Sequence, residues 1–214
     1  MKLYCNSGSP YVRKVMVTAI EAGLDSKIQL ENLGMLSPMQ PNPRLVAANP
    51  LAKIPTLVPD DGPPIFDSNV ICEYLDSMHS GAKLIPVPGM ARWRALTRTA
   101  AADGLLEAAM TARGELARAA NQQSPELAAG QMGKARRCLD LFEREAEAAG
   151  SPEGLAGAAN IDIGDIACGC ALGWVDFRMP NENWRQGRPA LARWFGELSK
   201  RRSMKLTEPA NPPT

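Results

Sequence analysis

Near residue 78 the sequence changes its periodicity, and that change limits the fold more than any other feature. Before it, short β-like runs alternate with amphipathic stretches, punctuated by proline and glycine. After it, nearly every segment repeats at helical spacing. The first part reads as a small mixed sheet with helices on its faces, and the second as an all-helical domain. The expected boundaries are residues 1–78, a linker over 79–89 marked by Gly81, Pro86, Pro88 and Gly89, and residues 90–214.

Leu3-Tyr4-Cys5 is a short strand, and Ser9-Pro10 opens a helix with a good N-cap and a proline where its missing N–H costs nothing. Val12, Val15, Met16, Ala19 and Ile20 repeat at helical spacing, with Arg13, Lys14 and Glu21 off that face, and Gly23 stops the helix. Lys27 to Glu31 alternates with period two, which predicts a half-buried strand. A short helix is expected around Arg44 to Ala48. Pro55 to Val58 and Pro64 to Phe66 read as two more strands, joined by the hairpin chemistry of Asp60-Asp61-Gly62. Asp67-Ser68 caps the next helix. The sheet so predicted has four strands.

In the second part, helices are expected over Ala91 to Ala120, with Gly104 as a weak point, and over Pro125 to Ala149, stopped by Gly150-Ser151-Pro152. Asp162 to Phe177 is unusually apolar and is expected to be central. Pro189 to Arg201 is the last helix, followed by a proline-containing tail extended over the surface.

Charge and composition narrow the function. With 24 Lys and Arg against 23 Asp and Glu, nothing favours a nucleic acid or a membrane surface as partner. No run of about 18 apolar residues exists to span a bilayer. The first residues are too polar for a signal peptide. Five cysteines and one histidine, His79, give no metal-like spacing; Cys168 and Cys170 point about 200° apart on a helix. No metal is expected, and reduced thiols fit a cytoplasmic chain.

Three features of the first part carry chemistry. Ser7-Gly8-Ser9-Pro10 is a strand-to-helix turn with hydroxyls at a helix N-terminus. Ser9 can cap backbone donors there, or donate a hydrogen bond to a ligand thiolate helped by the helix dipole. Ser7 and Cys5 compete for that second role. Lys53-Ile54-Pro55 starts a strand with a proline that cannot donate to a ladder; a cis bond would turn the Ile54 backbone toward an extended peptide, whereas an ordinary trans proline would sit at a strand edge. Asp67-Ser68 is an N-cap whose hydroxyl, free N–H groups and carboxylate can equally hold a carboxylate and an amine. In the second part, Asp162, Asp165, Ile161 and Ile166 have the spacing of a capping box with a hydrophobic staple, a structural role.

Together these stretches resemble the bacterial cytosolic glutathione transferases. The resemblance is carried by SPYVRKV (Ser9 to Val15), NPLAKIPTL (Asn49 to Leu57), FDSNVICEYL (Phe66 to Leu75), AADGLLEA (Ala101 to Ala108), IDIGDIA (Ile161 to Ala167) and RPALARWFGELSKRRSMKLTEP (Arg188 to Pro209), in order and at family spacing. It implies a thioredoxin-like domain followed by an all-α domain, assembled as a homodimer, with reduced glutathione as co-substrate and no permanently bound cofactor. It makes Pro55 a cis-proline, gives Ile54 the backbone bonds to the cysteinyl part of glutathione, and assigns Asp67 and Ser68 to the γ-glutamyl end and Lys53 to the glycyl carboxylate. Ser9 holds the position of the catalytic Ser or Cys. Asp103 is expected to lend charge to the ligand amine across a subunit interface, and Tyr11 and Trp174 to border a pocket for a small hydrophobic electrophile. The implied reaction is conjugation of the glutathione thiolate. Rival readings are a non-catalytic scaffold of the same fold and a glutathione-dependent isomerase, dehalogenase or reductase, the last disfavoured by Ser rather than Cys before Pro10. The chain departs from the commoner pattern in having Asp67 where the acidic residue is often Glu.

Overall fold

The computed structural model describes residues 1–37, 39–149, 155 and 160–211. Along the chain run β1 (Lys2–Cys5), α1 (Pro10–Glu21), β2 (Gln29–Asn32), α2 (Pro43–Ala48), β3 (Thr56–Val58) and α3 (Ser68–Ser77). Then follow α4 (Met90–Leu116), α5 (Pro125–Glu147), α6 (Ile163–Arg178), α7 (Pro189–Leu198) and α8 (Arg202–Leu206). Two compact units result, Met1–Ile85 with Arg202–Thr214, and Pro86–Arg201. No helix among the described residues is long and apolar enough to cross a membrane.

In the first unit β1 is the middle strand of the order β2-β1-β3. It runs parallel to β2, with Leu3 opposite Leu30, and antiparallel to β3, with Tyr4 opposite Thr56. Val12, Val15 and Ala19 of α1 are buried, as are Ile71, Cys72 and Leu75 of α3, and these two helices pack together. Each fully buried branched side chain contributes about 1.5–3 kcal/mol. Gly23 ends α1 at φ 68°, a left-handed conformation that costs glycine little.

The sheet has three strands rather than the expected four. Pro63 and Pro64 supply no N–H, so the segment before α3 cannot extend a ladder. Only Ile65 pairs, exchanging bonds of 2.9 and 2.7 Å with Leu57 as an isolated bridge. Strand β2 is an outer strand, and its Leu30 stays 53 % exposed although the alternation predicts burial.

The second unit is helical throughout its regular elements. Ala95, Ala102, Leu105, Ala109 and Ala112 form the buried stripe of α4, which packs on α5 and α6. Helix α6 is buried from Ile163 through Val175, so an apolar surface all round suits it. Its start is a capping box: Asp162 accepts from the Asp165 N–H at 3.0 Å and Asp165 from the Asp162 N–H at 2.9 Å. Arg98 of α4 completes this start with contacts to Asp165 at 3.1 Å, Glu145 at 2.6 Å and Asp162 at 3.5 Å. Burial works against the guanidinium charge, but these carboxylates hold its pKa above the ordinary arginine value. Glu143 of α5 accepts from the first N–H groups of α7, Ala190 at 3.0 Å and Leu191 at 2.7 Å, and so does the work of an N-cap.

The end of the chain differs from the single last helix expected. Helix α7 stops at Leu198, and α8 follows as a separate turn within the first unit. Its Ser203 and Met204 are buried, Ser203 donates to Glu21, and Arg13 donates to the Met204 carbonyl at 3.0 Å. This second cover explains why Arg13, read as off the apolar face of α1, is 8 % exposed, whereas Lys14, read the same way and 1 % exposed, reaches Asn69 of α3 at 2.8 Å. The stop at Gly150-Ser151-Pro152 lies outside the described residues, as do Pro38, Pro212 and Pro213.

Two glycine substitutions separate packing from propensity. A Cβ on Gly164 would lie 2.7 Å from the Ala95 carbonyl oxygen and 2.9 Å from Arg98 Cβ, whereas one on Gly104 meets nothing within 4 Å. Gly164→Ala is expected to cost about 1–3 kcal/mol through overpacking. Gly104→Ala, in the exposed middle of α4, is expected to gain about 0.5–1 kcal/mol. Urea unfolding midpoints moving in opposite directions check both.

Candidate functional site

The candidate site is built where the sheet ends. Strand β1 runs up to Cys5 and delivers the chain into the turn that opens α1. Antiparallel pairing of Tyr4 with Thr56 brings the residues before β3, Ile54 and Pro55, to the same end. The antiparallel bridge of Leu57 with Ile65 then sends Phe66, Asp67 and Ser68 back toward that end, where α3 begins. The start of α3 meets α1 there, with Lys14 Nζ 2.8 Å from Asn69 Oδ1.

Ser9 is half-buried with extended backbone, and its Oγ accepts from the Val12 N–H at 3.3 Å. That bond uses one lone pair; a hydroxyl also carries a proton to donate. Its two rivals are engaged differently. Ser7 donates its hydroxyl to the Ala210 carbonyl at 3.1 Å. Cys5 is buried, and its thiol pKa is pushed up to about 11 by burial and by the Glu31 carboxylate, against a backbone hydrogen bond that lowers it.

The Ile54–Pro55 peptide is cis. Among the described residues no hydrogen bond engages the Ile54 N–H or carbonyl. The loop carrying Ile54 is braced from within. Buried Asn49 donates to the Lys53 carbonyl at 3.1 Å and to Thr56 Oγ1 at 3.0 Å, and accepts from the Leu51 N–H at 3.0 Å. Thr56 adds a bond of 2.7 Å to the same Lys53 carbonyl. Lys53 itself is exposed.

Asp67 is the N-cap of α3, accepting from the Asn69 N–H at 2.9 Å, and is exposed; Ser68 is buried beside it. One end of the sheet thus gathers two helix N-termini with their partial positive charge, an unengaged backbone donor and acceptor, a carboxylate and two hydroxyls. Such a row suits an extended, peptide-like molecule carrying both an amine and carboxylates.

Comparison with known proteins identifies the lineage. The N-terminal glutathione S-transferase domain model matches residues 8–78, and the C-terminal one residues 97–197. This chain belongs to the glutathione S-transferase family. It is 32% identical over 209 residues to the uncharacterized GST-like protein YibF of Escherichia coli (strain K12), covering 98% of each chain. A glutathione transferase family member from Pseudomonas fluorescens Pf-5, solved with bound glutathione, shares 44% identity at a TM-score of 0.89, with 98% of both chains covered. A glutathione S-transferase from Methylobacillus flagellatus KT, solved with GSH bound, shares 33% identity at a TM-score of 0.85, over 98% of this chain and 99% of that one.

The remaining residues singled out in the sequence divide between the units. Tyr11 lies half-buried on α1 in the first unit, within 5.8 Å of Lys14 Nζ at its ring centre. Asp103, half-buried on α4, and Trp174, buried on α6, belong to the second. Sequence reasoning missed Asn49, Thr56 and the Lys14–Asn69 contact. Asn49 opens the NPLAKIPTL stretch, but an Asn before proline reads as a turn residue until its burial is seen.

Three outcomes follow from this geometry. Native protein at pH 8 is expected to leave Cys5 unmodified by iodoacetamide while urea-unfolded protein reacts fully, because the folded thiol ionises only near pH 11; peptide mass mapping checks it. The same raised pKa adds stability that is complete below the ordinary thiol value of 9.0 and lost as pH rises through 11. Asn49→Ala, which strips three hydrogen bonds from a buried loop, is expected to cost about 2–3 kcal/mol by urea unfolding.

Proposed function

We propose that this chain is a glutathione transferase joining the glutathione thiolate to a small hydrophobic electrophile. In this reading the tripeptide lies extended past Ile54 and uses its free N–H and carbonyl. The γ-glutamyl amine meets Asp67, its carboxylate meets Ser68 at the start of α3, and the glycyl carboxylate meets exposed Lys53. The cysteinyl sulfur faces Ser9. Asp103 of a second copy lends further negative charge to the amine, and Tyr11 and Trp174 border the electrophile. The reading is of a cytoplasmic homodimer with reduced glutathione as co-substrate and no resident cofactor.

The observation that carries the proposal is the state of Ser9. Its Oγ caps α1 as an acceptor, so its proton is available to a thiolate at a helix N-terminus. A free thiol has a pKa near 8.5, and each unit of lowering takes about 1.36 kcal/mol of differential stabilisation. A hydroxyl bond to a charged acceptor supplies about 1.5–3 kcal/mol, enough for one to two units. The glutathione proton leaves to solvent, the sulfur lone pair forms a bond to an electrophilic carbon, and the displaced group departs with its electron pair. The protein contributes thiolate stabilisation and the positioning of two reactants.

Titration calorimetry with reduced glutathione, combined with thiolate absorbance near 240 nm, tests the reading. Saturable binding, a bound thiol pKa below the free value, and a rise of about one to two units in Ser9→Ala are expected. Binding is expected to weaken about tenfold or more in Ser68→Ala. A bound thiol pKa unchanged in Ser9→Ala overturns the role of Ser9. No binding at millimolar glutathione overturns the transferase reading in favour of a scaffold.

A further inference from the structure

We infer that the C-terminal tail is a strap that positions the turn carrying Ser9. Ser7, two residues before Ser9, is tied to Ala210 twice: its hydroxyl donates to the Ala210 carbonyl at 3.1 Å, and the Ala210 N–H donates to the Ser7 carbonyl at 3.3 Å. This is a two-bond clasp between segments 203 residues apart in the chain. The tail reaches it from a fixed base. Arg13, itself buried, holds the Met204 carbonyl at 3.0 Å and Thr207 Oγ1 at 3.4 Å. Thr207 in turn donates to the Ser203 carbonyl at 2.7 Å, and Ser203 donates to Glu21.

That base makes the clasp inexpensive. With Thr207 already anchored, only Glu208, Pro209 and Ala210 must be ordered, and Pro209 has little backbone freedom to lose. The effective concentration of Ala210 beside Ser7 is correspondingly high.

On its other side the turn is held by Asn6. Asn6 Oδ1 accepts from the Gly8 N–H at 2.7 Å, its Nδ2 donates to the Gly34 carbonyl at 2.5 Å, and its carbonyl accepts from the Ser9 N–H at 3.1 Å. Asn6 fixes the turn to the sheet side, and Ala210 fixes its exposed side. Ser7 is therefore a positioning residue, acting on the Ser9 hydroxyl through two peptide units. The strap also gives the Ser7 hydroxyl a partner within the chain. Its catalytic consequence rests on the transferase reading; its effect on the turn does not.

The test uses the full chain. Ser7→Ala combined with Ala210→Pro removes both bonds of the clasp, since proline has no N–H; Ser7→Thr alone keeps the hydroxyl. Hydrogen–deuterium exchange of the peptide spanning Asn6 to Val12 is expected to speed up about tenfold at Gly8 and Ser9 in the double variant and to stay near wild type in Ser7→Thr. With glutathione and an aryl halide as probe electrophile, kcat is expected to fall about five- to tenfold in the double variant, with the glutathione KM within about twofold. The bound thiol pKa is expected to rise, and Tm to move by less than about 2 °C. Unchanged exchange at Gly8 and Ser9 overturns the strap whatever the activity. Faster exchange with an unchanged thiol pKa overturns its link to Ser9. A wild-type chain that binds no glutathione is a failure of the transferase reading, and the exchange measurement still decides the strap.

Discussion

Tyr4 of β1 lies opposite Thr56 of β3, and Leu57 exchanges two bonds with Ile65. From these pairings the whole first unit takes its direction. The turn after β1, the loop before β3 and the start of α3 must all arrive at one end of the sheet. A slip of one residue in that register would turn every side chain of β3 to the opposite face and separate the three segments. The buried Asn49 network protects the register from below, because Thr56 is at once the partner of Tyr4 and a ligand of the bracing amide.

The second unit depends on a buried charge in a comparable way. Asp165 is fully buried within the first turn of α6, and Arg98 of α4 is its partner. Such a pair adds little net stability against an apolar replacement, but losing one member leaves the other buried and unpaired, at about 3–5 kcal/mol. Gly164, with no room for a Cβ against Ala95, lets α4 and α6 approach closely enough for the pair to form. Close approach, capping box and ion pair are therefore one feature seen from three residues.

The free backbone of Ile54 and the committed hydroxyl of Ser7 show why neighbouring groups take different parts. Among the described residues nothing bonds the polar groups of Ile54, which lies outside the three strands, whereas Ser7 closes on Ala210. Ser9 stands between these conditions. Its oxygen serves the helix while its proton remains for a ligand, so structural and functional readings of the same residue are compatible. The same holds for Asp67, one oxygen of which caps α3.

Local signals in the sequence were sufficient wherever the physics is local. The caps at Ser9, Asp67 and Asp162, the proline at the start of α1, and the apolar run of α6 could all be read from neighbours a few residues apart. So could the β-α-β order and the motifs that identify the family. Tertiary structure decided what depends on distant partners. It shortened the fourth strand to the Ile65 bridge, left Leu30 exposed at the outer strand, and buried Arg13 and Lys14 on the supposedly polar face of α1. It also separated α8 from α7 and brought Ala210 to Ser7. Burial and long-range hydrogen bonds are set by which segments meet in space, and periodicity along the chain records only the nearer of those meetings.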